Sequence, residues 1–104
     1  MLIRIVKMTF KPENLEEFLA MFEEVKYKIR NFEGCQHLEL MQGYEDKHIL
    51  STYSIWQNNE ALNKYRHSEL FKETWAKTKV LFDAKPIAFS LKKFIQVEPN
   101  TNVD

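Results

Sequence analysis

One cysteine, two glycines and three prolines in 104 residues leave this chain with little structural punctuation. The lone thiol, Cys35, has no partner within the chain, which excludes a disulfide-stapled scaffold and any Cys-x-x-Cys metal or redox motif; a reducing compartment is its simplest home. Scarce glycine and proline argue against long loops and low-complexity linkers. Neither sign of charge dominates, with 15 Lys+Arg against 15 Asp+Glu. Such a balance, without a basic block, removes the electrostatic reason to expect nucleic acid or an anionic membrane as partner. No apolar run approaches the roughly 20 residues needed to cross a bilayer. The opening Leu2-Ile3-Arg4-Ile5-Val6 is too short and too alternating for a signal peptide. A soluble, cytoplasmic protein is the expectation.

What is present is ordinary globular material, 44% hydrophobic and 29% charged, enough for one domain with one modest core. Leu2 to Phe10 is apolar and β-branched and reads as a strand. Pro12 suits the first turn of a helix, whose positive end attracts Glu13, Glu16 and Glu17. Leu15, Phe18, Leu19, Phe22, Val25 and Ile29 recur at three and four, one buried face of a helix ending near Asn31. Gly34 releases the chain into a second strand, Cys35 to Gln42. Tyr44-Glu45-Asp46-Lys47 forms a hairpin turn, and His48 to Trp56 is a third strand. A helical stretch runs from Asn58 to Phe82, Lys85-Pro86 leads into a last strand, Ile87 to Val97, and residues 98–104 form a polar tail.

The order β-α-β-β-α-β defines an α+β, ferredoxin-like antiparallel sheet with both helical segments on one face, spanning residues 1–97. Neither sheet face is clearly polar. Leu38, Leu40, Leu50 and Trp56 share one side of the hairpin. The other carries Cys35, Met41, Ile49, Tyr53 and Ile55, interrupted by His37, Glu39 and Ser51. The helices cover only one face, so a homodimer joined through the second face is expected.

The most informative stretch lies between Trp56 and Trp75. Asn58 is a cap followed by Glu60 in a first turn, and Ser68-Glu69 repeats that start signal ten residues on. Two short helices in tandem are therefore predicted. The second places Phe71, Thr74, Trp75, Thr78 and Phe82 on one stripe.

With that order, Gly34-Cys35 opening the second strand, Tyr53-Ser54-Ile55-Trp56 closing the third, Glu60-Ala61-Leu62 and Ser68-x-x-Phe71, the chain resembles the antibiotic biosynthesis monooxygenase family over residues 1 to 95. The resemblance implies a dimeric α+β barrel. It also implies a cofactor-independent monooxygenase acting on a small aromatic or quinone-like molecule, with no metal and no other cofactor. The alternative it leaves open is a non-catalytic dimeric module that binds a small molecule or serves a stress response. Oxygenation without a cofactor needs an electron-rich phenol or anthrone deprotonated in a dry pocket, with hydrogen bonds to the enolate oxygen. The resemblance places Tyr65 and His67 in the catalytic role and Val6, Phe71 and Trp75 on the substrate-binding wall.

The chain departs from the family where many members have histidine, here Tyr65 and Leu70, and where they have glutamate, here Ser54. Members that open haem carry asparagine, tryptophan and a histidine ligand at positions that align with Val6, Tyr65 and Trp75. A tryptophan cannot ligate iron, so haem chemistry is not expected. Each candidate also has a plainer reading. Tyr65 is either a donor to an enolate or an amphipathic core residue. His67 has the pKa range of a general base, yet also suits a solvated connector between helices. Phe71 and Trp75 are a substrate wall or simply a buried stripe. Cys35 is a nucleophile or a small buried hydrophobe. His37, Glu39 and Tyr53 form a polar cluster on the outer sheet face. No His-x-x-x-His or clustered carboxylate motif supports a metal site, and no glycine-rich loop supports a nucleotide.

Overall fold

In a computed structural model, which describes residues 1–100, four strands form one antiparallel sheet in the order β2-β3-β1-β4. The elements run β1 (Leu2–Thr9), a short 3-10 turn (Pro12–Asn14), α1 (Leu15–Arg30), β2 (Cys35–Gln42), β3 (Ile49–Trp56), α2 (Asn59–Arg66), α3 (Glu69–Lys79) and β4 (Ile87–Leu91). This is the α+β, ferredoxin-like arrangement read from the element order. The two central strands, β1 and β3, pair from Leu2↔Trp56 to Thr9↔Ile49.

The pairing sorts the strand residues by face. Leu2, Arg4, Val6 and Met8 of β1 stand beside Trp56, Ser54, Thr52 and Leu50 of β3. Leu2, Val6, Met8, Leu40, Leu50 and Trp56 supply the sheet's share of two apolar clusters. One gathers Met8, Phe10, Phe18, Leu50 and Leu81; the other gathers Cys35, Trp56 and Leu62 with Phe32 and Tyr65 against them. Phe10 and Phe18 bring their rings to 4.4 Å. Trp56 and Phe10 are each only 1% exposed. Complete burial of such a ring contributes about 2–3 kcal/mol, so these two anchor the clusters.

Three expectations change. Leu19, read as part of the buried face of α1, is 41% exposed. Cys35 lies on the helix side of the sheet, not the outer side, because the β2–β3 register shifts between Cys35 and His37 and Cys35 sits opposite Trp56. An extra residue in a strand reverses the side on which its neighbour points. The last strand stops at Leu91 and does not continue to Val97, because its pairing with β1 ends at Ile3↔Leu91 and β1 itself begins at Leu2. Residues 92–100 have no regular secondary structure, and Phe94 is 87% exposed. Of the polar tail at 98–104, residues 101–104 lie outside the described residues.

The broken helix forms as its two start signals demand. The Asn58 side chain accepts a hydrogen bond from the Ala61 N–H at 2.8 Å, and Ser68 Oγ accepts one from the Phe71 N–H at 3.1 Å. Each cap satisfies an N–H that the helix cannot, worth about 1 kcal/mol. Gly34, at φ 87°, supplies the left-handed turn into β2, and a Cβ there would collide with the Cβ of Ala61. That close approach seats the start of α2 against the start of β2.

Candidate active site in the cavity between sheet and helices

The two clusters do not meet completely. Between them lies a cavity of about 280 Å³, lined by residues from both. A cavity of about 150 Å³ holds benzene, so this one has room for a bicyclic ring. Its floor is the helix-facing side of the sheet, including Arg4, Val6, Thr52 and Ser54. Its roof is the broken helix, with Leu62 and Tyr65 from α2 and Phe71, Thr74, Trp75 and Thr78 from α3. The stripe predicted for the second helix therefore faces the cavity, apart from Phe82, which follows α3 and pairs with Phe10 through a single β-bridge.

The roof is an aromatic chain. Trp56 stacks on Tyr65 at 4.9 Å, Tyr65 meets Phe71 edge-on at 5.3 Å, and Phe71 stacks on Trp75 at 5.9 Å. Trp75 in turn meets Phe82 edge-on at 5.6 Å. Interlocked rings of this kind hold one another's orientation. Trp56 is fixed a second time, its Nε1 donating to Ser54 Oγ at 3.0 Å. Ser54 thus accepts from the indole and donates in turn to the Arg4 carbonyl oxygen at 3.5 Å.

Tyr65 is the titratable group most affected by this setting. Burial, the larger cause, and the neighbouring Cys35 push its phenol well above the ordinary tyrosine range. A phenol held neutral in this way is a hydrogen-bond donor, not a base. Val6, Phe71 and Trp75 line the same space as Tyr65. His67 does not. It caps the C-terminus of α2, is exposed, and its Nδ1 lies 2.7 Å from the Asn63 carbonyl oxygen that accepts from it. Consecutive helix positions are about 100° apart, so two residues beyond Tyr65 the side chain points away from the roof.

Cys35 packs under Trp56, where burial raises its thiol pKa above the usual cysteine value, and Sγ donates to the His37 carbonyl oxygen at 3.6 Å. The burial describes an unreactive thiol. On the outer face, His37 Nε2 and Glu39 Oε1 lie 2.6 Å apart and the His37 ring meets Tyr53 edge-on at 5.7 Å, so the expected polar cluster forms there, away from the cavity.

Two charged lining residues escaped the reading of the sequence: Arg4 and Arg66. Arg4 had a visible signal. It interrupts the apolar alternation Leu2, Val6, Met8 on the strand face that turns toward the helices. Arg66 had none, since its position depends on how α2 lies over the sheet.

Fold and site together define an α+β protein with an aromatic-roofed cavity of small-molecule size. A family model described as antibiotic biosynthesis monooxygenase matches residues 1–77, and the chain belongs to that family. A crystal structure of an antibiotic biosynthesis monooxygenase superposes with a TM-score of 0.85 at 19% identity, covering 91% of this chain and 100% of that one. A conserved protein of Methanosarcina mazei Go1 superposes equally well, TM-score 0.85, at 25% identity over 90% of this chain and 94% of its own. A protein of Natronomonas pharaonis, given a provisional haem-binding name, is 30% identical over 66 residues, 64% of this chain. That match covers only 11% of the Natronomonas protein's length.

No helix among the described residues is long and apolar enough to cross a membrane.

Proposed function

We propose that the chain is a cofactor-independent monooxygenase that takes a small aromatic or quinone-like molecule into this cavity. The observation that carries the reading is the neutral Tyr65 phenol set in a continuous aromatic roof over a cavity wide enough for two fused rings. Phe71 and Trp75 stack against the ligand, Val6 supports it from the sheet, and Tyr65 donates to the ligand oxygen. As an anthrone or hydroquinone loses a proton to water at the cavity mouth, charge builds on that oxygen, and a donor already in place favours the charged form. The enolate carbon adds dioxygen. The resulting peroxide anion takes up a proton to become the hydroperoxide, which loses water to leave a carbonyl.

Haem, suggested by one relative's name, does not fit these residues. The lining contains neither histidine nor cysteine, and Trp75 stands where the family resemblance puts the iron ligand. Tyr65, held as the neutral phenol, is a poor ligand as well.

The working unit is a homodimer of a domain spanning residues 1–97. Ile3, Ile5, Tyr53 and Ile55 are neighbours on the outer face of the central strands, which neither apolar cluster includes. Ile87, Phe89 and Leu91 on the adjoining edge strand are each at least two-fifths exposed. An apolar sheet face of this kind is covered at least cost by its own copy. The balanced charge and lone reduced thiol are consistent with cytoplasmic residence.

One observation favours a second reading, a binding module without turnover: among the described residues no histidine or carboxylate lines the cavity to act as base. A thermal-shift screen with small aromatics, followed by an oxygen electrode on each hit, separates the two. The enzyme consumes oxygen with at least one electron-rich hit; the module is stabilised by hits and consumes none.

A further inference from the structure

The cavity has an unexplained charge. Among the described residues only two charged ones line it, Arg4 and Arg66, and both are cations. Neither takes part in any ion pair among the described residues. Arg4 is half-buried on the strand face that the helices cover, where a charged group costs free energy unless something answers it. It is held there from β4, its Nη1 donating to Ser90 Oγ at 3.1 Å, which occupies one of five N–H donors. Arg66 is exposed, follows Tyr65 directly, and marks where the cavity meets solvent. Burial and then the nearby Arg66 charge both lower the Arg4 pKa, so the two guanidinium groups feel one another. The last turn of α2 suits a cation such as Arg66 through the helix dipole. That dipole offers no reason for Arg4 on the sheet floor.

We propose that Arg4 and Arg66 together clamp the carboxylate of a planar aromatic acid whose ring lies under Tyr65, Phe71 and Trp75. The proposal rests on the reading of the cavity as an aromatic-binding site and narrows its ligand class from any flat ring to an aromatic carboxylic acid. A single carboxylate at the mouth offsets the repulsion between the two cations and satisfies donors that Ser90 leaves free. The planar guanidinium fork matches carboxylate geometry, a match that a lysine does not make. The ring then extends inward along the aromatic roof, where lining side chains are otherwise apolar or hydroxyl-bearing.

The test is a fluorescence titration of the full chain. Both of its tryptophans, Trp56 and Trp75, line the cavity. The probes are 2-naphthoate and its neutral isostere 2-naphthamide, at low and high sodium chloride. The naphthoate is expected to bind about tenfold more tightly than the amide or better, the worth of one charge-assisted hydrogen bond. That preference should shrink in high salt and disappear in Arg4→Gln and in Arg66→Gln, with Arg66→Lys recovering part of it. Arg66 is exposed, so Arg66→Gln carries the test even if Arg4→Gln fails to fold. Equal binding of acid and amide overturns the clamp and leaves the aromatic cavity standing. A preference for the acid that survives Arg66→Gln also overturns it. Binding of neither probe overturns the clamp together with the cavity reading beneath it.

Discussion

Trp56 and Tyr65 stack with ring centroids 4.9 Å apart and planes 25° from parallel, joining the end of the third strand to the first of the two tandem helices. The contact ties core to site. Trp56 is locked by burial and by its bond to Ser54, and it passes that rigidity to the phenol above the cavity.

The phenol's environment sets a pH dependence. Its folded-state pKa lies above the value of about 10 expected in the unfolded chain. Below that pH the group is neutral in both states and contributes no slope. Above it the unfolded chain releases the proton while the folded chain keeps it, so stability falls as pH rises. Denaturant melts from pH 8 upward should show a steeper loss above about pH 10 in the natural chain than in Tyr65→Phe. The same slope in both would remove Tyr65 as the cause.

His67 offers the opposite expectation. It is turned away from the roof and bonded to the carbonyl of Asn63. His67→Ala should leave ligand affinity and any oxygen uptake within about twofold of the natural chain, as for a surface change remote from the chemistry. A tenfold loss, measured by oxygen electrode, would return His67 to the mechanism.

The helix break and the turn before β2 are expected to be sensitive. Ser68→Ala removes the cap accepting from the Phe71 N–H and should cost about 1 kcal/mol. In a domain of this size that is a fall in Tm of roughly 4–8 °C. Gly34→Ala should cost more, about 2 kcal/mol or above, since it combines positive-φ strain with a clash against Ala61. Calorimetry of both variants checks the order. A Gly34→Ala protein as stable as the natural chain would contradict the close approach of α2 to β2.

Sequence pattern and structure agree where a local rule settles the outcome. The 3.6-residue period of Phe18, Phe22 and Ile29 places all three in α1 on the cavity side, and Asn58 and Ser68 cap their helices as their residue types predict. Patterns fail where a partner strand decides. Alternation cannot reveal the register shift that moves Cys35 to the helix side, nor that β4 stops at Leu91, one residue short of the start of β1. Arg4 stood in plain view as a charge within an apolar alternation, but its meaning needed Arg66, which only the packing of α2 brings to the same cavity.

Light scattering should return a mass twice the 12.5 kDa of one chain at micromolar concentration. Ile55→Glu, which puts a charge beside Ile3 on the outer face, should yield the single-chain mass with the helical signal preserved. A natural chain that runs as a monomer would contradict the proposed interface.

The central claim is that a neutral phenol in a dry aromatic cavity promotes oxygenation of a bound ring. The most direct measurement is oxygen consumption with saturating anthrone by the natural chain and by Tyr65→Phe, each shown to be folded. Saturable uptake, reduced at least about tenfold by loss of one hydroxyl, is the predicted result. Anthrone bound without oxygen uptake, or equal uptake by both proteins, would contradict it.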